Sequence, residues 1–295
     1  MPTVNPAPPF LVRQRPHPLP TRVVIEGSEA MTTSPEGVVA RMPLPRLLQQ
    51  LTGNRPSTGD LILPDGVKAV IPHGSITVFA WESPPRLHSL TWIAKDSPAP
   101  FGSSAKYRPV RVALPYLIIL AVFEADGAGQ LHLSEQSECF FRNAPLKSVQ
   151  DELHYPAFLN CYSFGPGGSK PLSWICTAGL RRTAAMYSPN VNDRVRASLD
   201  VIRQYLLETG FNHSDGQGGQ RSWFAKSRSV DPRLATIEAW EEASAKDPLF
   251  VLDVPWLPTG LTLGQVSERI AHHHQEVEAQ GITAATLARI LFNQP

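Results

Sequence analysis

Cysteine, long apolar runs and net charge are all scarce in this chain of 295 residues. Three cysteines, Cys139, Cys161 and Cys176, are too few for the disulfide framework of a small secreted protein, so we expect a reducing compartment. The longest apolar run, from Val112 to Phe123, contains a proline and is too short to cross a bilayer. The formal net charge of +1 provides no overall field for attracting nucleic acid or an anionic membrane.

Two sequence motifs are also missing. No GxGxxG or GxxxxGKS loop is present, so a nucleotide-binding fold has no positive signal. The first twenty residues, MPTVNPAPPFLVRQRPHPLP, lack the apolar segment of a secretory signal peptide. These absences predict a cytoplasmic protein that binds neither nucleic acid nor membranes.

Proline, by contrast, is abundant, with 29 residues, many of them in the first hundred positions. Because proline fixes one backbone dihedral and lacks an N–H, such a region favours extended segments and turns over long helices. We therefore predict a Pro-rich segment over residues 1–40 that is disordered or extended. The core should occupy residues 41–210, and residues 211–295 should form a helical extension.

The core begins in this prediction with a short helix near Arg41, because leucines recur at helical spacing from Leu44 to Leu51 and Gly53 ends the pattern. Short segments rich in β-branched and aromatic residues follow and predict strands. They are GVKAVIPH, SITVFAWE, HSLTWIA, the run from Leu114 to Phe123, and LHLSEQSECFF. Their close spacing and short turns favour an antiparallel meander.

Helical patterns dominate after an irregular segment over residues 142–180. A helix is predicted from Asp193 to Thr209 with Asn192 as its N-cap, and another from Asp231 to Lys246. PLFVLDVPWLP should be a strand or a packed extended segment, and residues 264–280 and 283–292 should form two closing helices. Strands first and helices later predict an α+β fold.

The irregular segment is the best candidate for a functional site, because loops of this length inside compact domains are often functional. It contains Asn160 after the apolar pair Phe158-Leu159. It also contains Cys176 between Trp174-Ile175 and three small residues. A thiolate is a strong nucleophile, and an asparagine amide is a neutral donor for a developing oxyanion.

The order of motifs resembles the prokaryotic ubiquitin-conjugating-enzyme-like family that includes the B protein of PRTRC systems. The motifs are ITVFAWESPPRLHSLTWIA, VALPYLIILAVF, CFFRNAPL, PAFLNCY and WICTAG, and they span roughly Leu61 to Leu180. The resemblance aligns Cys176 with the cysteine that carries a ubiquitin-like protein as a thioester. It aligns Asn160 with the asparagine of the His-Pro-Asn motif, whose first two positions are Phe158 and Leu159 here. An insertion, approximately GPGGSKPL, lengthens the distance between Asn160 and Cys176.

This resemblance implies a ubiquitin-conjugating-like fold and a transferase that needs no cofactor and no metal. It also implies three partners: a ThiF-type activating enzyme, a ubiquitin-like protein and, in the same system, a JAB-type metalloprotease. Asp151, Glu152 and His154 are candidates for deprotonating the attacking amine, on sequence proximity alone.

Other interpretations stay open at this point. Cys176 can be a small buried apolar residue in a conjugating-enzyme-like module without catalysis. It can also be the nucleophile of a hydrolase, with His154 or His213 as base. A zinc site built from Cys161, Cys176 and His154 lacks a CxxC pair. The run from His272 to His274 is expected to be solvated, because consecutive helical residues point to different faces. Cys139 and Cys161 are expected to be structural.

Overall fold

The computed structural model describes residues 22–26, 29–34, 37–43, 61–99, 104–126, 129–163, 170–177, 179–208 and 222–281. The chain divides into two compact units, Met1–Asn54 and Arg55–Pro295. This boundary lies later than the one we expected between residues 40 and 41. Among the described residues, no helix has both the length and the apolar character needed to span a membrane.

The first unit contains a three-stranded antiparallel sheet of β1 (Arg22–Glu26), β2 (Glu29–Ser34) and β3 (Gly37–Pro43), in that order. Of the two states expected over residues 1–40, disordered or extended, the extended one describes the part that forms these strands. β-branched residues such as Val23, Val24 and Ile25 favour this outcome, since the prolines concentrate before them. The short helix expected near Arg41 does not include Arg41 itself, because Arg41 pairs with Met31 inside β3. The rest of that predicted helix lies outside the described residues.

The second unit is built on a mostly antiparallel sheet. Nine of its described strands form one sheet with the path β12-β13-β10-β8-β5-β4, on which β9 joins β8, β11 joins β10, and β14 joins β11. A separate pair is formed by β6 and β7. The strands are β4 (Val67–His73), β5 (Ile76–Ser83), β6 (Arg86–Ile93), β7 (Tyr107–Leu114), β8 (Tyr116–Ala125), β9 (Leu131–Leu133), β10 (Glu138–Arg142), β11 (Glu152–His154), β12 (Cys161–Tyr162), β13 (Trp174–Ile175) and β14 (Pro258–Thr262).

A long two-stranded antiparallel ribbon, in which residues 76–93 run opposite residues 107–124, connects the two sheets of this unit. β5 pairs with β8 and β6 pairs with β7 in a single uninterrupted register, from Ile76 opposite Glu124 to Ile93 opposite Tyr107. In that register Pro85 falls opposite Pro115, so neither residue can donate a ladder hydrogen bond there. The expected single strand from Leu114 to Phe123 is therefore divided at Pro115.

β8 is buried on both faces, which explains its continuous apolar sequence. Its odd-numbered residues, including Leu117 and Ile119, belong to the larger core. The even-numbered Ile118 and Leu120 belong to a second core with Val266. The sheet thus separates two apolar layers.

Four helices of the described residues cover these layers: α1 (Val191–Glu208), α2 (Trp223–Ser227), α3 (Ile237–Lys246) and α4 (Leu263–Gly281). Three short 3-10 helices span Ala184–Tyr187, Pro232–Leu234 and Phe250–Leu252. The predicted α+β class with a mostly antiparallel sheet and few helices is confirmed. The predicted helices over residues 193–209 and 264–280 correspond to α1 and α4, whereas residues 283–292 lie outside the described residues.

Helix boundaries differ from the prediction at three places. Asn190, not Asn192, caps α1, because its Oδ1 accepts from the backbone N–H groups of residues 192 and 193. The helix expected from Asp231 to Lys246 is divided, since the Thr236 side chain caps α3 as a new helix. PLFVLDVPWLP, for which we expected a strand or a packed extended segment, contains the 3-10 helix Phe250–Leu252.

Candidate active site

The hairpin of β12 and β13 brings the two predicted site residues together. Cys161 pairs with Ile175 and Tyr162 pairs with Trp174. One step further along this register, Asn160 stands opposite Cys176, and the Cys176 N–H donates to the Asn160 carbonyl at 3.0 Å. Residues 165–169 of the insertion between them lie outside the described residues. Directly opposed residues of an antiparallel pair direct their side chains to the same face.

The two faces of this hairpin pack in different apolar clusters. Cys161 and Ile175 point into the larger core, where Cys139 is also fully buried. Burial raises the pKa of the Cys161 thiol well above its ordinary value, and the neighbouring Cys139 adds to this effect. The structural role expected of Cys139 and Cys161 is confirmed by this placement. Cys176 lies on the other face, in a small separate cluster with Tyr205.

Aromatic side chains cover the Cys176 thiol, which leaves the residue only 4% exposed. Tyr205 is buried with it, and Tyr162, Trp174 and Leu180 pack around the pair. The rings of Tyr162 and Trp174 meet edge to face at 5.1 Å, and the Trp174 indole N–H donates to the Glu135 carbonyl at 2.6 Å. An acyl group can reach the sulfur only if part of this cover moves.

Asn160 is 6% exposed and its amide is hydrogen-bonded to a helix. Its Nδ2 donates to the Leu206 carbonyl in α1 at 2.9 Å, and its Oδ1 is 3.9 Å from the Cys161 sulfur, a weak contact. In this arrangement the amide fixes the hairpin against α1. It can serve an oxyanion only after releasing Leu206.

Tyr205 packs against Cys176 and is a residue that the sequence analysis did not single out, because a tyrosine among the apolar residues of a helix is usual. Its hydroxyl oxygen accepts from the Gly179 N–H at 2.8 Å. Burial raises the pKa of Tyr205 to about 12, and the adjacent Cys176 also raises it, whereas the Gly179 hydrogen bond opposes the shift. A Cβ at residue 179 would lie 3.2 Å from this hydroxyl, so glycine permits the close approach.

The acidic and histidine candidates near the start of the irregular segment do not lie at this site. His154 in β11 pairs with Phe141 at one end of β10, whereas Trp174 pairs with Glu138 toward the other end. Extending that register puts Cys176 opposite residue 136, five residues from Phe141, or roughly 17 Å along the strand. Asp151 instead accepts from the N–H groups of residues 147 and 148 and pairs with Arg142 at 3.0 Å. The proposed role of Asp151, Glu152 and His154 is therefore wrong.

Charged side chains do lie closer to the hairpin. Arg182, six residues after Cys176, is 3.8 Å from the carboxylate of Glu135. The carbonyl of this same Glu135 accepts from Trp174. Both charged groups are at the surface, so this ion pair is expected to contribute little to stability. They place one cation and one carboxylate next to Trp174 of the hairpin.

The zinc interpretation fails on the geometry of the hairpin. Cys161 and Cys176 point to opposite faces, and His154 lies at the far end of β10. Within the described part of the chain, no three His, Cys, Asp or Glu side chains are placed to hold a metal ion. The base of the hydrolase interpretation is not His154, and His213 lies outside the described residues.

The histidine run on α4 is only partly solvated. His272 is exposed and pairs with Glu276 at 3.4 Å, as expected for a surface residue. His274 is buried and its Nδ1 lies 3.7 Å from Glu124, so solvation of all three residues is wrong. The three rings thus point in different directions, which agrees with helical geometry.

A buried carboxylate accepts hydrogen bonds from the backbone that immediately precedes β13. Glu138 is 1% exposed, and its Oε2 accepts from the N–H groups of Leu172 at 2.9 Å and Ser173 at 2.7 Å. Burial raises the pKa of Glu138 to about 7, against the opposing effects of these hydrogen bonds and of the Arg269 charge. The segment that leads to Cys176 therefore depends on a titratable side chain.

The chain was compared with known proteins at three levels. Models of protein families, curated proteins and solved structures give no match to it. A function for this chain is therefore argued from the hairpin that pairs Asn160 with Cys176 and from the chemistry of the side chains around it.

Proposed function

We propose that this protein carries a ubiquitin-like protein as a thioester on Cys176 and transfers it to an amine. The observation that carries this proposal is the register of β12 and β13, which pairs Asn160 with Cys176 despite the insertion between them. A nucleophilic thiol beside a neutral amide donor is the pair of groups that acyl transfer requires.

The order of elements supports the same proposal. Strands β4, β5, β8 and β10 are successive antiparallel neighbours in the main sheet. The irregular segment with Cys176 follows them, and then comes α1. This is the order that the resemblance to ubiquitin-conjugating-like proteins implies: meander, cysteine-bearing segment, helices.

The proposed reaction has two acyl transfers and no change of oxidation state. In the first, the Cys176 thiolate attacks the thioester carbonyl on an activating enzyme. A new S–C bond forms, and the thiolate of the activating enzyme leaves. In the second, an amine attacks the Cys176 thioester, loses a proton to base and forms an amide, while the Cys176 thiolate is regenerated. No metal or second cysteine takes part.

The partners of this reaction follow from its chemistry and from the family resemblance. A ThiF-type enzyme would adenylate the ubiquitin-like protein and pass it to Cys176. A JAB-type metalloprotease in the same system would remove the modifier. We propose the cytoplasm as the location, because a free thiol nucleophile needs a reducing compartment.

Replacing Cys176 with alanine is expected to abolish a covalent adduct. The wild-type protein, incubated with the activating enzyme, ATP and the ubiquitin-like protein, should form an adduct that thiol reductants cleave. Cys161→Ala is the matched control, because Cys161 lies in the same hairpin but on its other face. A gel without reductant measures the adduct. An adduct that persists in Cys176→Ala contradicts the site assignment.

A second candidate function is a binding module that keeps this fold without catalysis. The specific observations that favour it are the 4% exposure of Cys176 and the hydrogen bond that commits the Asn160 amide to Leu206. Alkylation of the folded protein with iodoacetamide, followed by mass spectrometry, separates the two functions. Modification of Cys176 supports the acyl carrier, and complete protection of Cys176 supports the binding module.

A further inference from the structure

A surface cavity of about 410 Å³ lies beside α3, and none of its lining residues belongs to the site hairpin or to the cluster around Cys176. The α3 residues that line it are three or four positions apart, so they share one face of the helix. The lining is formed by Pro232, Arg233, Ala239, Glu242, Ala243, Lys246, Asp247 and Phe250. Its volume falls in the range of roughly 300–1,000 Å³ that is usual for ligand sites.

Part of this lining is apolar. Ala239 and Ala243 contribute methyl groups from α3, and the centre of the Phe250 ring lies 4.7 Å from the guanidinium carbon of Arg233. Leu249, which precedes Phe250, is 57% exposed and adds apolar surface next to it in sequence. An alkyl chain that enters the cavity can therefore be removed from water.

The charged part of the lining has an excess of carboxylates. The side-chain hydrogen bond to Asp231 raises the pKa of Arg233, and the charges of Asp253 and Asp247 add to this effect, whereas burial opposes it. Three carboxylates thus face one guanidinium. Asp247 is also the C-cap of α3, where the partial negative charge of the helix C-terminus favours cations.

The remaining pair of charges can be exchanged. The Lys246 ammonium lies 2.6 Å from a carboxylate oxygen of Glu242, but the two side chains are 72% and 68% exposed. Such a surface ion pair contributes little to stability, so another ammonium can take the place of Lys246. Within the described part of the chain, four carboxylates then surround this cavity against one guanidinium and one ammonium.

We propose that this cavity binds the side chain of a lysine from a partner protein, with its alkyl chain against Ala239 and Ala243 and its ammonium at the carboxylates of Glu242 and Asp247. The apolar lining suits the four-carbon chain, and the negative charge suits the ammonium. The exposed Leu249 offers apolar contact to residues that flank the lysine in a partner protein. This site is separate from the proposed acyl transfer and does not depend on it.

Titration of the full-length protein with N-acetyl-lysine N-methylamide tests the proposal. In protein labelled with [3-¹³C]alanine, the NMR signals of Ala239 and Ala243 should shift, and Ala→Gly variants assign them. The norleucine analogue keeps the four-carbon chain without the ammonium and should bind at least about threefold more weakly. Equal affinities for the two compounds overturn the proposal. Cadaverine, a free diamine, overturns the choice of a protein lysine if it binds more tightly than the lysine compound.

Exchanges of charge on α3 should act in opposite directions. Glu242→Gln should weaken binding of the lysine compound about threefold, and Lys246→Ala should strengthen it by a similar factor, because it removes the competing ammonium. Glu238→Gln is the matched control: Glu238 is an exposed carboxylate of the same helix that pairs with Arg108 and does not line the cavity, so binding should not change. Ala239→Leu should abolish binding by filling the cavity. Unchanged binding in both Glu242→Gln and Lys246→Ala contradicts the assigned ammonium position.

Discussion

Replacing Glu138 with glutamine is expected to stabilise the folded protein by about 3 kcal/mol at about pH 8 and by almost nothing near pH 4.5. The reason is that the wild-type carboxylate is fully buried, so its charged form is disfavoured in the folded state. A glutamine side-chain oxygen can still accept from the Leu172 and Ser173 N–H groups, which the carboxylate binds at 2.9 and 2.7 Å. The substitution therefore removes the charge and keeps the acceptor.

The direction of the pH dependence follows from proton binding. The pKa of Glu138 is raised from its ordinary 4.5 to about 7 by burial. Between these values the folded protein binds more protons than the unfolded chain, so its stability falls as pH rises through this window. Above about pH 7 this loss of folding stability is complete, and below about pH 4.5 it is absent. Among the groups around Glu138, Arg269 favours the charged form and limits the loss.

Urea denaturation at several pH values tests this expectation. The difference between Glu138→Gln and wild type should grow from pH 4.5 to pH 7 and then stay constant. Glu82→Gln is a matched control, because Glu82 is a buried carboxylate of the same sheet that lies 3.6 Å from Lys68 and accepts from the Leu146 N–H. Glu82→Gln is expected to destabilise the protein at about pH 8, because it removes the charge that faces Lys68. Parallel pH profiles for Glu138→Gln and wild type would contradict the titration of Glu138.

Local sequence patterns were sufficient to locate β4, β5, β8 and β10 of the main sheet and two long helices. β4, β5 and α4 carry their own signals, namely β-branched residues bounded by turns, or an apolar face at helical spacing. Pro115 was misinterpreted because a proline inside an apolar run does not say whether the strand ends or only bends. The answer depends on Pro85, thirty positions away, which the ribbon register sets opposite it.

The candidate site could be predicted only in part, because its geometry depends on contacts that are distant in sequence. β12 and β13 have two residues each, too short for any periodicity to show. The sequence therefore indicated Asn160 and Cys176 but not that they are paired. Tyr205 lies among the apolar residues of α1, where a tyrosine is usual, and only the fold brings its hydroxyl to Gly179. The sequence also suggested Asp151, Glu152 and His154 as groups that deprotonate the amine, but strand pairing places them away from Cys176.

Loss of Arg194 is expected to destabilise the protein more than any other single change in α1. Arg194 is 2% exposed, and its guanidinium donates to the carbonyls of Ser188 at 2.8 Å, Pro189 at 3.2 Å and Leu131 at 3.4 Å. Arg194→Ala leaves the buried Leu131 carbonyl and the part-buried carbonyls of Ser188 and Pro189 without their donor, at a cost of about 3 kcal/mol. The same change releases the start of α1 from β9 and from the segment that follows the 3-10 helix Ala184–Tyr187.

Two further variants decide whether the geometry of the guanidinium is responsible for the loss of stability in Arg194→Ala. Arg194→Lys keeps the charge but cannot reproduce a planar group that reaches three carbonyls, so most of the loss should remain. Arg196→Ala, an exposed arginine two residues along the same helix, should change the free energy of unfolding by less than about 0.5 kcal/mol. Urea denaturation measures all three. Equal losses in Arg194→Ala and Arg196→Ala would mean that removal of a positive charge from α1, and not the three carbonyl contacts, sets the effect. Because Tyr205 and Leu206 at the other end of α1 contact the candidate site, Arg194→Lys should also lower the yield of the thioester that we propose for Cys176.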